Sequence, residues 1–409
     1  MRLKDVTEFC PAYSGGARND TVAFVPMEAL RYDSIAQQEI PFDEARGKYT
    51  FFADGDLLFA KVTPCFENGN IAVAKDLKGG IGFGSSEIFV LRAKPGLNNR
   101  YLFYVVQSSP FMDGGCATMC GVGGLKRMSP LFPRTFEWEI PNEKSQRQIV
   151  DYLDGRTAAI DARVAVLEKK LAAYKRLKAS VINRAVTRGL DPKAKLKYSG
   201  VDWIGKVPVG WEVRRVKDVG SAWNGLTYSP EEVCEEGEGL LVLRSANIQD
   251  GRLDYADSVF VDCDVAKSAC VKRGDVLICS RNGSAALVGK NVLIESDVVA
   301  AFGAFMLVFR GNREIETRYA HYAFNAQMFE SYMGGFATST IHQLLRSDFL
   351  NMEMPYPPFA EQRAIADYLD AECAKIDKMA ELVTREIELY KKLKRSLINE
   401  VVTGKRKVA

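Results

Sequence analysis

The chain has 409 residues, with 55 Lys and Arg against 52 Asp and Glu and a formal net charge of +3. This near balance excludes a uniformly basic protein that coats nucleic acid, so any basic surface must be local. Nine cysteines without a CxxC pair, and only two histidines, argue against a zinc site and predict reduced thiols.

The first residues, MRLKDVTEFC, carry charges where a secretory signal would be apolar, and the longest apolar run, 298–309, is too short to span a bilayer. We therefore expect a cytoplasmic protein without membrane contact.

Residues 1–142 consist of short runs of Val, Ile and Phe separated by Gly, Asn and Asp turns, with helix expected around 101–111. The same description fits 213–358, with helix around 319–332. Loose matches join the two segments, such as GDLLF at Gly55 with GDVLI at Gly274. The pattern predicts two related, β-rich globular heads.

QRQIVDYLD at 146–154 returns as QRAIADYLD at 362–370, and the match continues without a gap to Thr187 and Thr403. Apolar residues in both copies follow steps of three and four, which predicts a long helix with a narrow seam at 143–189 and another at 359–409. Such a helix needs a partner for its seam, so we expect the two copies to pack antiparallel.

The predicted fold class is thus α+β: two β-rich mixed heads separated by two long helices packed as an antiparallel coiled coil, a pseudo-twofold internal duplication. Residues 190–212, with prolines, glycines and lysines, are expected to form an extended connector held by its tryptophans.

The usual signatures of catalysis are absent from the sequence. Both histidines, His321 and His342, lie in the second half, so no duplicated histidine-based device exists. GGIGFG at 79–84 lacks the Lys and Ser/Thr of a phosphate-binding loop. The two heads share no carboxylate cluster. We therefore predict a protein that is not an enzyme and has no metal site, although an enzyme with an unrecognised site is one rival interpretation.

Several strings resemble those of the specificity subunits of Type I restriction-modification enzymes. They are QRxIxDYLD and YKxLKxSxINxxVT in both helices, YSGVDWIGKVPVGWEV at 198–213, and in the heads FVPMEAL, GDLLFAKVTPCFENG, LRSANIQDG and GDVLICSRNGSAALVGK. The resemblance covers the whole chain, although DWIGxVPxGWE precedes only the second head.

The resemblance implies a non-catalytic reader of double-stranded DNA whose two target recognition domains each read one half of a split, asymmetric site. It implies helices that recruit two methyltransferase subunits and, through them, restriction subunits, which use S-adenosylmethionine, ATP and Mg²⁺. This chain itself would need no cofactor. A coiled-coil protein-interaction scaffold without DNA readout is the alternative.

Base readout uses Arg, Lys, Asn and Gln on loops, whereas phosphates are bound by Lys, Arg, Ser, Thr and backbone amides. On this basis the candidate DNA-binding residues are Lys61, Thr63, Asn68, Lys126 and Arg127 in the first head and Arg244, Asn247, Arg281, Asn282, His342 and Gln343 in the second. A solvated loop residue or a turn-forming Asn is the alternative at each single position. Arg127 and Arg281 are the preferred candidates.

Identical pairs in the two helices are the candidate partner-binding residues: Tyr152, Asp161, Tyr174, Lys178, Tyr368, Asp377, Tyr390 and Lys394. The helix ends are also rich in Lys and Arg. A solvated face is the usual interpretation of such a run, and contact with DNA phosphates or with an acidic partner surface is the other.

Overall fold

The computed structural model describes residues 1–15, 20–122, 124–334 and 343–408, and the chain divides into two compact units. Unit 1 comprises Met1–Glu168 and Arg385–Ala409, and unit 2 comprises Lys169–Thr384. Each unit therefore contains one head together with a segment of each long helix.

The first head contains two four-stranded sheets. One is antiparallel, with the strand order Thr7–Phe9, Ile88–Ala93, Leu57–Ala60, Ile71–Val73. The other is mixed, with the order Gln38–Pro41, Thr21–Val25, Ile81–Gly84, Thr50–Ala53 and a parallel central pair. A two-stranded ribbon joins Leu30–Arg31 to Ser34–Ile35. The α-helices are Leu3–Val6, Phe42–Ala45, Asn99–Val105, Ser109–Ala117 and Leu131–Thr135.

The second head repeats this arrangement. Its antiparallel sheet has the order Gly220–Asn224, Met306–Gly311, Val276–Cys279, Asn291–Leu293. Its mixed sheet has the order Val233–Cys234, Val259–Val261, Leu240–Leu243, Ala300–Phe302, with the last pair parallel. Ile248–Gln249 and Arg252–Leu253 form a ribbon, as do Glu212–Arg215 and Glu353–Tyr356. The α-helices are Val216–Val219, Thr317–Ala323, Gln327–Gly334 and Arg346–Asn351.

A buried carboxylate occupies the same place in both antiparallel sheets. Asp56, 2% exposed, binds Arg92 through two bonds of 2.8 Å, and Asp275, 1% exposed, binds Arg310 at 2.6 and 2.7 Å. The two aspartates belong to the matching strings GDLLF and GDVLI. The buried ion pair is therefore present in both heads, although their sequences match only loosely. Charge-assisted bidentate pairs of this kind satisfy both partners.

The long helices run from Glu143 to Arg188, 46 residues, and from Phe359 to Val402, 44 residues. In unit 1 the Lys394 ammonium lies 2.7 Å from Asp161 and the Lys391 ammonium 3.8 Å from Glu168. Because later residues of one helix face earlier residues of the other, the segments pack antiparallel. The α+β fold with long paired helices predicted from the sequence is confirmed.

In unit 2 the equivalent segments pack in the same sense. The Lys178 ammonium binds both oxygens of Asp377 at 2.7 Å, while Ile182 shares a buried cluster with Ile365 and Leu369. Lys178 is the repeat of Lys394 and Asp377 that of Asp161, so one ion pair occurs once in each unit.

The repeated strings QRQIVDYLD and QRAIADYLD both begin with a glutamine whose side chain hydrogen-bonds to the end of the head before it. In unit 1 the Gln146 amide oxygen accepts from the Asn98 amide at 2.7 Å, and its NH₂ group donates to the Pro141 carbonyl at 2.9 Å. In unit 2 Gln362 accepts from Glu316 and donates to Pro357, both at 2.9 Å. Both glutamines are buried and fully bonded, so the repeat preserves a polar joint between head and helix.

Both strings end with an aspartate that accepts hydrogen bonds from an arginine and a tyrosine of the head. Asp154 accepts from Arg100 at 2.8 Å and from the Tyr104 hydroxyl at 2.5 Å. Its repeat, Asp370, accepts from Arg318 and from the Tyr322 hydroxyl at 2.7 Å each. The nearly identical strings are therefore two copies of one head-to-helix attachment.

The segment between the first helix and the second head is a folded part of unit 2. Leu196–Tyr198 and Lys206–Pro208 pair as an antiparallel ribbon, and the buried Trp211 donates to Glu361 at 2.9 Å. Among the described residues, no helix combines the length and the apolar character that crossing a bilayer requires.

Candidate nucleic-acid interface

An isolated antiparallel bridge joins Val62 to Arg127 at the edge of the first head. Backbone bonds fix the surrounding chain: the Met128 amide donates to Lys61 at 2.7 Å, and the Lys61 amide donates to Glu87 at 3.0 Å. Three separate chain segments thus meet at the end of the strand Leu57–Ala60.

The second head has the same crossing. Arg281 bridges Gln343, the Leu344 amide donates to Ser280 at 2.8 Å, and the Ser280 amide donates to Phe305 at 3.0 Å. Here too three segments meet at the end of a buried strand, Val276–Cys279.

The matching bonds make Val62 equivalent to Arg281, Arg127 to Gln343 and Glu87 to Phe305. We call these residues the bridge site: Val62, Glu87 and Arg127 in the first head, and Arg281, Phe305 and Gln343 in the second. Residues opposite each other across an antiparallel bridge project to one face. The heads therefore share a backbone frame here and present different side chains on it.

In the first head the Arg127 guanidinium is fixed by Glu87. Its Nε lies 3.0 Å from Oε2 and its Nη2 lies 3.0 Å from Oε1, a bidentate pair on a side chain that is 47% exposed. The hydrogen bonds that Arg127 donates to the Glu87 carboxylate raise the pKa of Arg127 above its ordinary value. This pairing uses the Nε side of the fork and leaves its terminal Nη1/Nη2 edge directed away from the carboxylate.

In the second head the arginine lies on the other side of the bridge, and an aromatic ring supports it. The Arg281 guanidinium lies 5.0 Å from the centroid of the Phe305 ring, which is 59% exposed. A cation–π contact of this kind uses none of the N–H donors of the guanidinium in hydrogen bonds, so they stay available.

Two predicted DNA contacts are corrected, because their side chains are buried and support loops. Thr63 is 8% exposed; its hydroxyl donates to Gly124 at 2.9 Å and accepts from the Lys126 amide at 2.8 Å. Asn247 is fully buried and donates to Asp254 at 2.9 Å and to Asp257 at 3.2 Å. Neither side chain faces solvent.

Two more predicted contacts are partly occupied within the second head. Arg244 lies 3.1 Å from the Asp257 carboxylate. The Asn282 amide donates to the Ser245 hydroxyl at 3.1 Å, and its oxygen accepts from the Ser284 amide at 3.0 Å.

The remaining predicted contacts in the first head lie at the surface. Lys126 and Asn68 are exposed, and the Lys61 ammonium lies 5.3 Å from the centroid of the Phe89 ring. Lys61 also lines a cleft of about 490 Å³ together with Tyr13 and Arg46, two residues that sequence reasoning missed. In the second head Gln343 is exposed, whereas His342 lies outside the described residues.

Four of the predicted partner-binding residues form the ion pairs that join the helices: Asp161 with Lys394 and Lys178 with Asp377. Their bonds give these four a role within the chain. The tyrosines differ, because Tyr368 is 42% exposed whereas Tyr152, Tyr174 and Tyr390 are half-buried. The partner-binding assignment of all eight stays a prediction.

A second exposed feature of the helices is apolar. In unit 1 Val166, Leu389 and Leu393 are each more than half exposed. Near them in sequence, the ion pair of Arg163 with Glu386, 3.0 Å apart, joins the two helices. We call these three residues the unit 1 patch.

The repeat places Leu382, Ala173 and Leu177 at the equivalent positions of unit 2, which we call the unit 2 patch. Leu382 is 58% and Leu177 46% exposed, and Ala173 is exposed too. These exposed apolar side chains are the candidate partner surface of the helices.

Comparison with known proteins finds similarity to one family. The family model of the Type I restriction modification DNA specificity domain matches residues 208–388. The EcoEI specificity subunit of Escherichia coli is 38% identical over 154 residues, which cover 37% of this chain and 26% of that protein. The EcoKI specificity subunit of E. coli K12 is 28% identical over 205 residues, 49% of this chain and 44% of the relative.

A solved structure, described as the structural basis of complex assembly and conformational transition of the type I R-M system, shares the fold. Its TM-score is 0.73 at 19% identity, and the match covers 99% of this chain and 97% of the other. Over residues 208–388 the chain is similar to the DNA specificity domain of Type I restriction-modification systems. The resemblance predicted from the sequence is confirmed, although the aligned segments span less than half of the two E. coli relatives.

Of the bridge-site residues, sequence reasoning missed Val62, Glu87 and Phe305. Glu87 follows Gly84, Ser85 and Ser86, and Phe305 follows Gly303 and Ala304. Only the backbone bonds to Lys61 and Ser280 place them beside an arginine. Across the described ranges, no cluster of His, Cys, Asp and Glu has the arrangement of a metal site.

Proposed function

We propose that the chain is a DNA reader that recognises a bipartite, asymmetric site and directs adenine methylation and restriction by partner subunits. The reader itself carries out no catalysis. One observation carries this proposal: the two heads share a backbone frame and buried ion pairs, yet differ in the side chains at the bridge site. A fixed frame with variable side chains suits two half-sites of different sequence.

The duplicated attachments explain why the halves of the site need not be related. Asp154 and Asp370 hold both heads by the same bonds, so each head is mounted in the same way whatever it reads. A protein that places two different heads on duplicated mounts resembles a dimer without requiring a palindrome.

The apolar patches favour two copies of one partner. Val166 and Leu382 occupy the same position of the repeat, one in each unit, and so do Leu177 and Leu393. We therefore assign one methyltransferase subunit to each patch. Restriction subunits would join through the methyltransferases, and S-adenosylmethionine, ATP and Mg²⁺ would belong to these partners.

The test is to express the chain with its neighbouring methyltransferase in a host that lacks DNA methylation, and to map methylated adenines by long-read sequencing. A split motif, two specified segments around a fixed gap, is expected. A catalytically inactive methyltransferase in the same host controls for background signal.

The test separates a loss of DNA reading from a loss of complex assembly. If the complex assembles, as judged by co-purification and its mass in solution, and no motif is methylated, the DNA-reading function is overturned. The chain would then be a protein-interaction scaffold.

A further inference from the structure

We propose that the bridge-site arginines, Arg127 and Arg281, each read a guanine in the major groove, and that Glu87 and Phe305 position them. This proposal rests on the proposed DNA-reading function and extends it to the residues that specify bases.

The first step is the position of the arginines. Arg127 and Arg281 lie on opposite members of two equivalent bridges, so each head presents one guanidinium from the same backbone frame. Both residues are exposed, and neither is needed to fill the core. The arginine lies on a different side of the bridge in each head, yet both heads place an exposed guanidinium on the same backbone frame, as a ligand that both heads approach alike would require.

The second step is the geometry of the first head. Guanine is read by two parallel donors directed at O6 and N7, and an arginine fork supplies them from its terminal edge. Glu87 binds the Nε side of Arg127, as the 3.0 Å contacts show, and leaves that terminal edge for the base. The carboxylate also restricts the side-chain rotamers, which lowers the entropy that binding must overcome.

The third step is the geometry of the second head, where an aromatic ring takes the place of the carboxylate beside the arginine. The Arg281 guanidinium carbon lies 5.0 Å from the centroid of the Phe305 ring, a cation–π contact that supports the side chain without using its N–H donors. Gln343, across the bridge from Arg281, lies on the same face. Glutamine in this place suits an adenine next to the guanine, because its amide can donate to N7 and accept from N6.

The experiment maps methylated adenines for the full chain with its methyltransferase, first unaltered and then with single substitutions. Arg127→Ala is expected to relax one G·C position in one half of the motif, and Arg281→Ala one G·C position in the other half. Methylation of the native site should fall about tenfold to a hundredfold in each case. Arg273→Ala, an exposed arginine of the second head, is the matched control and should leave the motif unchanged.

The positioning residues are tested by conservative rescue. Phe305→Ala should weaken recognition of the same G·C position of the motif as Arg281→Ala does. Phe305→Tyr keeps an aromatic ring and should keep that recognition. Glu87→Gln should weaken recognition of the same G·C position of the motif as Arg127→Ala does. Co-purification with the methyltransferase shows that each variant is folded and assembled.

Two results would overturn the assignment while leaving the reader function intact. The first is a split motif from the unaltered chain that is unchanged in both arginine variants. The second is a uniform loss over all sequences with a shallower dependence on salt, which marks a phosphate contact. Absence of any motif from the unaltered chain would instead contradict the proposed function.

Discussion

Burial lowers the pKa of the His321 imidazole to about 4, and the nearby Lys178 ammonium adds to the effect while Asp370 opposes it. The unfolded chain has the ordinary pKa of about 6.5, so between these values it binds more protons than the folded chain. Stability must therefore fall as the pH falls through 6.5.

Because the ring is only half-buried by its accessible surface, we expect a loss of about 1 kcal/mol between pH 7 and pH 5. Urea unfolding of the chain and of His321→Gln at both pH values measures it. The variant should lose less stability on acidification. An equal loss in both proteins would show that other groups determine the pH dependence.

The buried carboxylate Asp275 gives a second prediction for a single residue. It binds Arg310 twice and also accepts from the Lys272 amide at 2.8 Å, so Asp275→Ala leaves a cation and a backbone donor without their acceptor. We expect the free energy of unfolding to fall by about 2–4 kcal/mol. Tryptophan fluorescence reports it, because Arg310 lies 4.9 Å from the centroid of the Trp223 ring.

Asp275→Asn is the matched variant. An amide oxygen can still accept one of these bonds, so its cost should be smaller than that of alanine. If alanine and asparagine cost the same, the charge of Asp275 alone would account for the effect.

At the scale of elements, the two interhelical ion pairs have the same sequence origin and different surroundings. The Lys394 side chain is 12% exposed and its ammonium also lies 3.8 Å from the centroid of the Tyr32 ring, whereas Lys178 is 32% exposed. Exposed pairs contribute about 0.2–1 kcal/mol, and reduced exposure strengthens them. The pair of Lys394 with Asp161 should therefore be the stronger.

Double-mutant cycles with Lys394→Met and Asp161→Asn, and with Lys178→Met and Asp377→Asn, measure both couplings by thermal or urea unfolding. We expect about 1 kcal/mol for the first and about 0.5 kcal/mol for the second. Equal couplings would mean that Tyr32 and the lower exposure contribute nothing.

The helices could be predicted because their determinants are local. Apolar residues every three or four positions without proline define a helix and its buried side, and the repeat indicated what covers that side. The heads were harder. Thr63 and Asn247 have the residue types of DNA contacts, and their burial depends on loops that are remote or folded back, which no local pattern encodes.

The bridge site shows the same limit more sharply. Glu87 lies 40 residues before Arg127 in the chain, and no spacing rule joins them. The loose repeat between the heads aligned the buried strings GDLLF and GDVLI correctly. The equivalence of Glu87 with Phe305 became visible only through the backbone bonds to Lys61 and Ser280.

At the scale of the whole molecule, the duplication makes a prediction about stoichiometry. If each patch binds one methyltransferase, a charge placed in one patch should remove one partner and leave the other. Val166→Glu and Leu382→Glu are matched substitutions, since they lie at the same position of the repeat and are 56% and 58% exposed. Burying a carboxylate against an apolar partner surface is strongly unfavourable, whereas at an exposed helix position it costs the free chain little.

The masses of the purified complexes, measured by native mass spectrometry, decide the matter. Each single variant should yield mainly a complex with one methyltransferase, and the double variant should yield the free chain. Ala158→Glu, exposed on the same helix outside the patch, should keep both partners. A double variant that still binds two methyltransferases would show that the partners use another surface. Methylation should require at least one bound methyltransferase. A double variant that loses both methyltransferases and still binds the split DNA site would show that DNA reading and modification are separable functions.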